Sequence, residues 1–378
     1  MQRTFHSDQL RIPHIPEGLS SIDPVLVTGA TGHLGNNLIR ALIRQGRPVR
    51  ALVRHKSTLL GLGAPDLIHA KETGQLKLIT GDILDSASLK RALEGVRSVF
   101  HAAAVFSYRN ADKEEIMQTG LKGARNLLEC VASEIERTPE RPIERVIFTS
   151  SVAAVGMSSD KQHVLNELHF NTDERDPHIS SSTASELLAK EVGARYGLPI
   201  VFCNPSILLG PHDYRITPST GVVLRFLNEL YPFYYEGGLN LVDVEDVAIG
   251  HLLAEAKGRI GERYILSGDN VTILEMMTTL QELTGLPAPK IKLNRFMFGA
   301  VVTGVEKGAS LLKKSPPITR DFVDYLAGRY AWFDHQKATD ELGWYPRSYR
   351  NVLRRSVRWL ISMDFIKPRR LKKIELSF

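Results

Sequence analysis

Three glycines spaced three residues apart, Gly29, Gly32 and Gly35, have the types and spacing to hold a phosphate ligand. Gly29 suits a tight turn, Gly32 lets a pyrophosphate approach the backbone, and Gly35 lets the following helix pack closely on the preceding strand. Free N–H groups at the start of that helix, among Thr31, His33 and Leu34, would then hold the phosphates. Three glycines alone are a weak signal, and a turn that binds nothing has the same letters. Here the apolar run Val25-Leu26-Val27 precedes them, an amphipathic segment follows, and a second apolar run, Val49 to Val53, comes within about 30 residues, which is the setting a dinucleotide fingerprint needs. Nineteen residues beyond Gly35 the second run ends at Val53-Arg54. An acid there would bind the ribose 2′-hydroxyl of NAD. Arg54, with His55 and Lys56 beside it, instead offers cations to a 2′-phosphate, favouring NADPH and leaving NAD as the lesser expectation. The plainer reading of Arg54 is a solvated arginine at a strand end.

These residues require a particular set of elements. Strands are expected at 25–27, 49–53, 76–80, 99–104, 145–150 and 200–204, and helices at 86–94, 113–135 and 180–196. Strands alternating with helices give an α/β fold, a Rossmann-type doubly wound parallel sheet. Ligands in such sheets bind beyond the carboxyl ends of the strands. Asp82 and Ile83 follow one such end, where an Asp suits an adenine amino group. Ala102 and Ala103 follow another, where small side chains leave room for a cofactor to cross. Ser151 follows a third and Pro205 the sixth. The chain divides into an N-terminal arm over 1–23, an NAD(P)-binding domain over 24–204, and a smaller C-terminal substrate lobe. That lobe takes up most of 205–360, with late strands returning to the sheet, and a basic tail follows over 361–378.

Composition narrows the function classes. The apolar and charged fractions, 43% and 24%, are those of a globular protein. Cys130 and Cys203 are the only cysteines, so no disulfide framework is implied and a reducing cytoplasm fits. The N-terminus lacks an apolar signal-peptide core, and no apolar run reaches membrane-spanning length. The net charge is +6, of which 346–378 supply ten Lys/Arg against two acids, or +8, leaving the rest near −2. A body of that balance argues against nucleic acid as a partner. The tail offers Lys367, Arg369, Arg370, Lys372 and Lys373 to an anionic membrane surface, although such runs are more often solvated. Neither a metal-binding spacing nor a serine-hydrolase elbow is present. The carboxylates Asp243, Glu245 and Asp246 read as structural.

TGATGHLG, GDILD, HAAA, the VIFTSS strand, NPSILLGPHD and LVDVEDVAIGHLL occur in an order that resembles the extended short-chain dehydrogenase/reductase superfamily, over roughly Pro24 to Trp359. The nearest branch is similar to 3β-hydroxysteroid dehydrogenases, dihydroflavonol reductases and hopanoid-associated epimerase-like proteins. The resemblance implies hydride transfer between NAD(P) and a carbon bearing oxygen. It also implies a homodimer built on the helices at 113–135 and 180–196.

The same resemblance exposes a departure. The family's proton relay is a Ser or Thr with Tyr-x-x-x-Lys, in which the Tyr gives a proton to the carbonyl oxygen, the Lys lowers the Tyr pKa, and the Ser holds the oxygen. Ser151 matches the serine. None of the eleven tyrosines has Lys four residues on. Counting back from Glu186 puts His178 in the tyrosine slot and Ser182 in the lysine slot. Gly120 takes the approximate place of the family's Asn. Three readings follow. In the first, His178 is the general acid/base, since imidazole titrates near neutrality without an activating lysine. In the second, the protein binds a dinucleotide and catalyses nothing. In the third, Ser151 and His178 handle protons in a non-redox isomerisation or cyclisation. A histidine without a role is the plain alternative. Tyr108, Tyr214 and His101 are further candidates to help. The aromatic stretch at 230–238 and the uncharged stretch at 296–305 suit a small, bulky, lipophilic substrate better than a sugar nucleotide.

Overall fold

The computed structural model describes residues 23–54, 61–103, 118–172, 177–229, 233–311 and 327–376. A parallel sheet organises them. It comprises β1 (Val25–Thr28), β2 (Val49–Val53), β3 (Leu76–Thr80), β4 (Ser98–His101), β5 (Arg145–Thr149), β6 (Ile200–Pro205) and a late strand, Arg263–Leu266. The spatial order is β3-β2-β1-β4-β5-β6 followed by the late strand, which pairs with β6 in parallel register, Arg263 opposite Phe202. The chain therefore winds outward from β1 to β3, returns to place β4 on the other side of β1, and winds outward again. A crevice opens where the winding reverses, at the carboxyl ends of β1 and β4.

Both faces of this sheet are covered, and β1 shows why its sequence is a continuous apolar run. Val25 and Val27 enter one core with Leu38 and Leu42 of α1 (His33–Arg44), while Leu26 enters the opposite core with Val99, Leu128 and Phe202. The helices between strands are α2 (Pro65–Glu72), α3 (Ser86–Leu93), α4 (Gly123–Arg137) and α5 (Pro177–Tyr196). Of the long helix expected from residue 113, 113–117 lie outside the described residues, 118–122 form a π-turn, and α4 follows directly. The expected helix at 180–196 begins earlier, at Pro177, where a proline fits the first turn because its missing N–H has no partner to lose.

Beyond β6 lies a second layer built on β7 (Ile207–Leu209), β8 (Phe233–Tyr235) and β9 (Gly238–Asp243), with α6 (Pro218–Asn228) and α7 (Val244–Lys257). β9 runs parallel to β7, and α7 packs on α1. Asp243 caps α7 by accepting from the Glu245 N–H at 2.9 Å. Arg347 and Arg355, from near and within the helix Tyr349–Ser362, pair with Asp243 at 3.1 and 2.8 Å and also with Glu245. The acidic segment thus ties the C-terminal helix to the start of α7. Among the described residues no helix is long and apolar enough to cross a membrane, and no group of His, Cys, Asp or Glu is placed to hold a metal ion.

Candidate functional site

The glycine-rich turn leaves β1 at Gly29, whose φ of +71° is a left-handed conformation that glycine adopts freely. A β-carbon at Gly29 would lie 2.3 Å from the Ala102 carbonyl oxygen, so the turn is pressed onto the end of β4. At Gly35 a β-carbon would lie 2.1 Å from the Gly29 oxygen, so this glycine packs the helix onto the turn itself rather than onto the strand. Gly32 is the N-cap of α1, donates to the Gly29 carbonyl at 2.9 Å, and has no capping side chain. The first turn of α1 carries no acid. An uncapped, acid-free helix start beside a glycine cradle fits the pyrophosphate of a dinucleotide.

The residues read from the sequence around this cradle are brought to one edge of the sheet. Thr31 is half-buried on the turn, and Leu34 is buried within α1. His33 turns its ring away. Its Nε2 lies 3.0 Å from the Pro211 carbonyl, and burial pulls its pKa below the ordinary value, so its side chain anchors the next lobe. Arg54 stands exposed at the end of β2, and His55 and Lys56 lie outside the described residues. Asp82 spends one carboxylate oxygen on the Leu84 N–H at 2.9 Å, and the Ile83 carbonyl accepts from Asn126 at 3.1 Å. Ala102 and Ala103 are half-buried beyond β4. His101 is consumed by structure. Its Nδ1 meets Thr28 Oγ1 at 2.8 Å across β1 and β4, and burial pulls its pKa down to about 4. Pro205 ends β6, buried opposite Leu266.

At the end of β5 two adjacent serines part company. Ser150 Oγ donates to Glu186 Oε2 at 2.5 Å and faces the interior. Ser151 caps the short 3₁₀ turn Val152–Ala154, accepting from the Ala153 N–H at 3.1 Å, and is half-buried. A hydroxyl that accepts one bond still has its proton to donate, as a substrate oxygen requires. Behind this pair Glu186 of α5 is fully buried, with Asn204 Nδ2 at 2.8 Å and Arg263 Nε at 2.6 Å. Asn204 also donates to the Ser151 carbonyl at 3.1 Å, so one network fixes the backbone of the site. No local pattern in the sequence points to Asn204 or Arg263, which reach Glu186 from β6 and from the late strand.

His178 lies in the first turn of α5, with its side chain outside the described residues. Gly120, in the π-turn, faces the same helix. A β-carbon there would lie 2.3 Å from Ser181 Oγ and 2.9 Å from Ser185 Oγ. Tyr108 lies outside the described residues. Tyr214 packs beside Gly61 and edge-on to Trp359, on the α1 side of the molecule. The aromatic and uncharged stretches meet in the second layer, where Tyr235 stacks on Phe298 with centroids 4.6 Å apart. Phe296 and Met297 are exposed.

The family model of the NAD dependent epimerase/dehydratase family matches residues 25–267, from β1 to the last strand of the parallel sheet. The chain belongs to that family. Among its relatives, a Synechocystis protein provisionally assigned as a dihydroflavonol 4-reductase is 34% identical over 92% of this chain and 98% of its own length. Sterol demethylase protein B of Methylococcus capsulatus is 32% identical over 88% and 97%. The crystal structure of gox2253 superposes with a TM-score of 0.76 at 31% identity, covering 91% of this chain and all of its own. The UDP-glucuronic acid 4-epimerase from Bacillus cereus, solved in complex with NAD, shares the fold at a TM-score of 0.67 and 19% identity. In this chain Ser151 follows β5, and none of the tyrosines has Lys four residues on.

Proposed function

We propose that the protein is an NAD(P)-dependent oxidoreductase that interconverts a ketone and an alcohol on a bulky lipophilic substrate. One observation carries this reading: the uncapped start of α1 and the hydroxyl of Ser151 follow the carboxyl ends of β1 and β5 at the same edge of the parallel sheet. A bound nicotinamide supplies or accepts the hydride. The residues of this chain do the rest. The glycine cradle seats the phosphates, Ser151 holds the substrate oxygen by its remaining proton, and His178 at the mouth of α5 exchanges a proton with that oxygen in place of a tyrosine. The exposed Arg54 supports NADPH as the preferred partner. The Tyr235–Phe298 stack supports an aromatic or polycyclic substrate, in keeping with relatives named for cinnamoyl-CoA and tetraketide α-pyrone reduction.

A second reading has its own support. The resemblance puts Ser182 in the lysine slot and Gly120, with Ser181 beside it, in the approximate place of the asparagine. A protein that binds dinucleotide without turnover accommodates both replacements. Fluorescence titration with NADPH and NADH separates the cases, followed by assay of lipophilic ketones with the wild type and His178→Phe. Saturable NADPH binding with turnover lost in His178→Phe supports the oxidoreductase. Binding without turnover on any ketone favours the silent binder. Failure of the folded protein to bind either nucleotide rejects both.

A further inference from the structure

The loop 210–217 joins β7 to α6 and is clamped onto α1. The Pro211 carbonyl lies 3.0 Å from His33 Nε2 and accepts from Asn37 Nδ2 at 3.2 Å. Asp213, buried, accepts from the Thr217 N–H at 2.8 Å and the Thr217 hydroxyl at 2.6 Å. His212 and Ile216 hold φ of +67° and +49°, a region that a β-branched residue such as Ile216 rarely adopts. The loop therefore has one fixed shape, and what it presents is Arg215. This side chain is exposed and donates from Nη2 to Thr31 Oγ1 at 3.0 Å, across 184 residues of sequence.

That placement puts a cation beside the start of a helix. Thr31 directly precedes the N-cap of α1, where the helix dipole is positive; the helix's own first turn carries no acid, and the buried Asp213 carboxylate lies 3.8 Å from His33 Nδ1 in that turn. The partner of Arg215 is a neutral hydroxyl, and among the described residues no carboxylate pairs with the guanidinium. A cation held over the positive end of a helix makes sense when an anion sits between them. A guanidinium has five N–H donors in a planar fork that fits phosphate oxygens, so most of its donor capacity is available for such a group.

We infer that Arg215 is an anion clamp, closing from the C-terminal lobe onto a phosphate of the bound dinucleotide. The inference rests on the nicotinamide-cofactor reading above and adds to it a residue outside the glycine-rich turn. It also gives the lobe carrying α6 a direct hold on the cofactor.

The test uses full-length protein with Arg215→Gln and Arg215→Lys, titrated with NADPH, NADH and adenosine at low and high salt. Unliganded thermal unfolding of both variants should match the wild type, because Arg215 is exposed. Arg215→Gln should raise the Kd of the dinucleotides about tenfold or more, with a smaller salt dependence than the wild type, and leave adenosine binding unchanged. Arg215→Lys should fall between. Equal losses for NADPH and NADH place the clamp on the pyrophosphate, and loss confined to NADPH places it on the 2′-phosphate; either supports the inference. Unchanged dinucleotide affinity in Arg215→Gln, or an equal loss for adenosine, overturns it while leaving the cofactor reading intact. No dinucleotide binding by the wild type overturns both.

Discussion

Glu186 lies completely buried between Ser150 and Arg263, accepting from the Ser150 hydroxyl at 2.5 Å and pairing with Arg263 Nε at 2.6 Å. Arg263 is itself buried, donates to the carbonyls of Glu167 and His169, and stacks 4.0 Å from the Phe170 ring. The same arrangement reaches Ser151, whose carbonyl accepts from Asn204 Nδ2 at 3.1 Å.

Glu186→Gln should therefore be strongly destabilising, because it removes the carboxylate that pairs directly with the buried Arg263. The expected loss is about 3–5 kcal/mol in urea unfolding. Ser150→Ala removes one charge-assisted hydrogen bond and should cost about 1–3 kcal/mol. A Glu186→Gln variant as stable as the wild type would show that the network is not holding the site.

A second buried pair joins the sheet's winding to α7. Arg47 and Glu255 are each 1% exposed and meet in a two-pronged contact at 2.5 and 2.9 Å. Glu255→Leu alone should lose about 3–5 kcal/mol, while Arg47→Met with Glu255→Leu should come much closer to the wild type. Purely additive losses in this double-mutant cycle would argue against the pair acting as a unit.

The parallel sheet was legible in the letters because strands buried on both faces read as short apolar runs, as Val25-Leu26-Val27 does in β1, where every residue is buried. The glycine cradle was legible for a similar reason: its constraints are local, and Gly29 to Gly35 span a single turn. The site's support was not. Arg215 meets Thr31 from 184 residues away, and Arg263 reaches Glu186 from a strand that returns late to the sheet. No periodicity links such partners. His33 and His101 illustrate the opposite difficulty. Both stand inside cofactor-like motifs, yet their rings bond Pro211 and Thr28, because a buried imidazole needs a partner whatever motif contains it.

Gly120 offers a direct steric test. Gly120→Ala should destabilise by about 1–3 kcal/mol, since its new carbon would lie 2.3 Å from Ser181 Oγ. Adding Ser181→Ala and Ser185→Ala removes both hydroxyls and should recover much of that loss. The same crowding predicts that Asn at 120 will not be accepted by this helix pair without those changes. Thermal unfolding of Gly120→Ala and Gly120→Asn, each alone and with Ser181→Ala and Ser185→Ala, checks these statements.

Asp246 gives a pH dependence whose sign can be worked out. Burial pushes its carboxyl up to about 6, against the opposing pull of Arg347. The folded protein then holds this proton more tightly than the unfolded chain, so stability falls as pH rises from the ordinary Asp range to about 6 and stays reduced above it. The full effect is on the order of 3 kcal/mol at most. Asp246→Asn keeps an oxygen for the Arg347 N–H, which Asp246 Oδ2 now accepts at 2.8 Å, and removes the buried charge. The difference in unfolding free energy between Asp246→Asn and the wild type should therefore move in the variant's favour between pH 4 and pH 7. Urea unfolding of both proteins at those two pH values measures that difference. A difference that does not change with pH would mean that Asp246 titrates alike in the folded and unfolded chains, and that Arg347 fully offsets its burial.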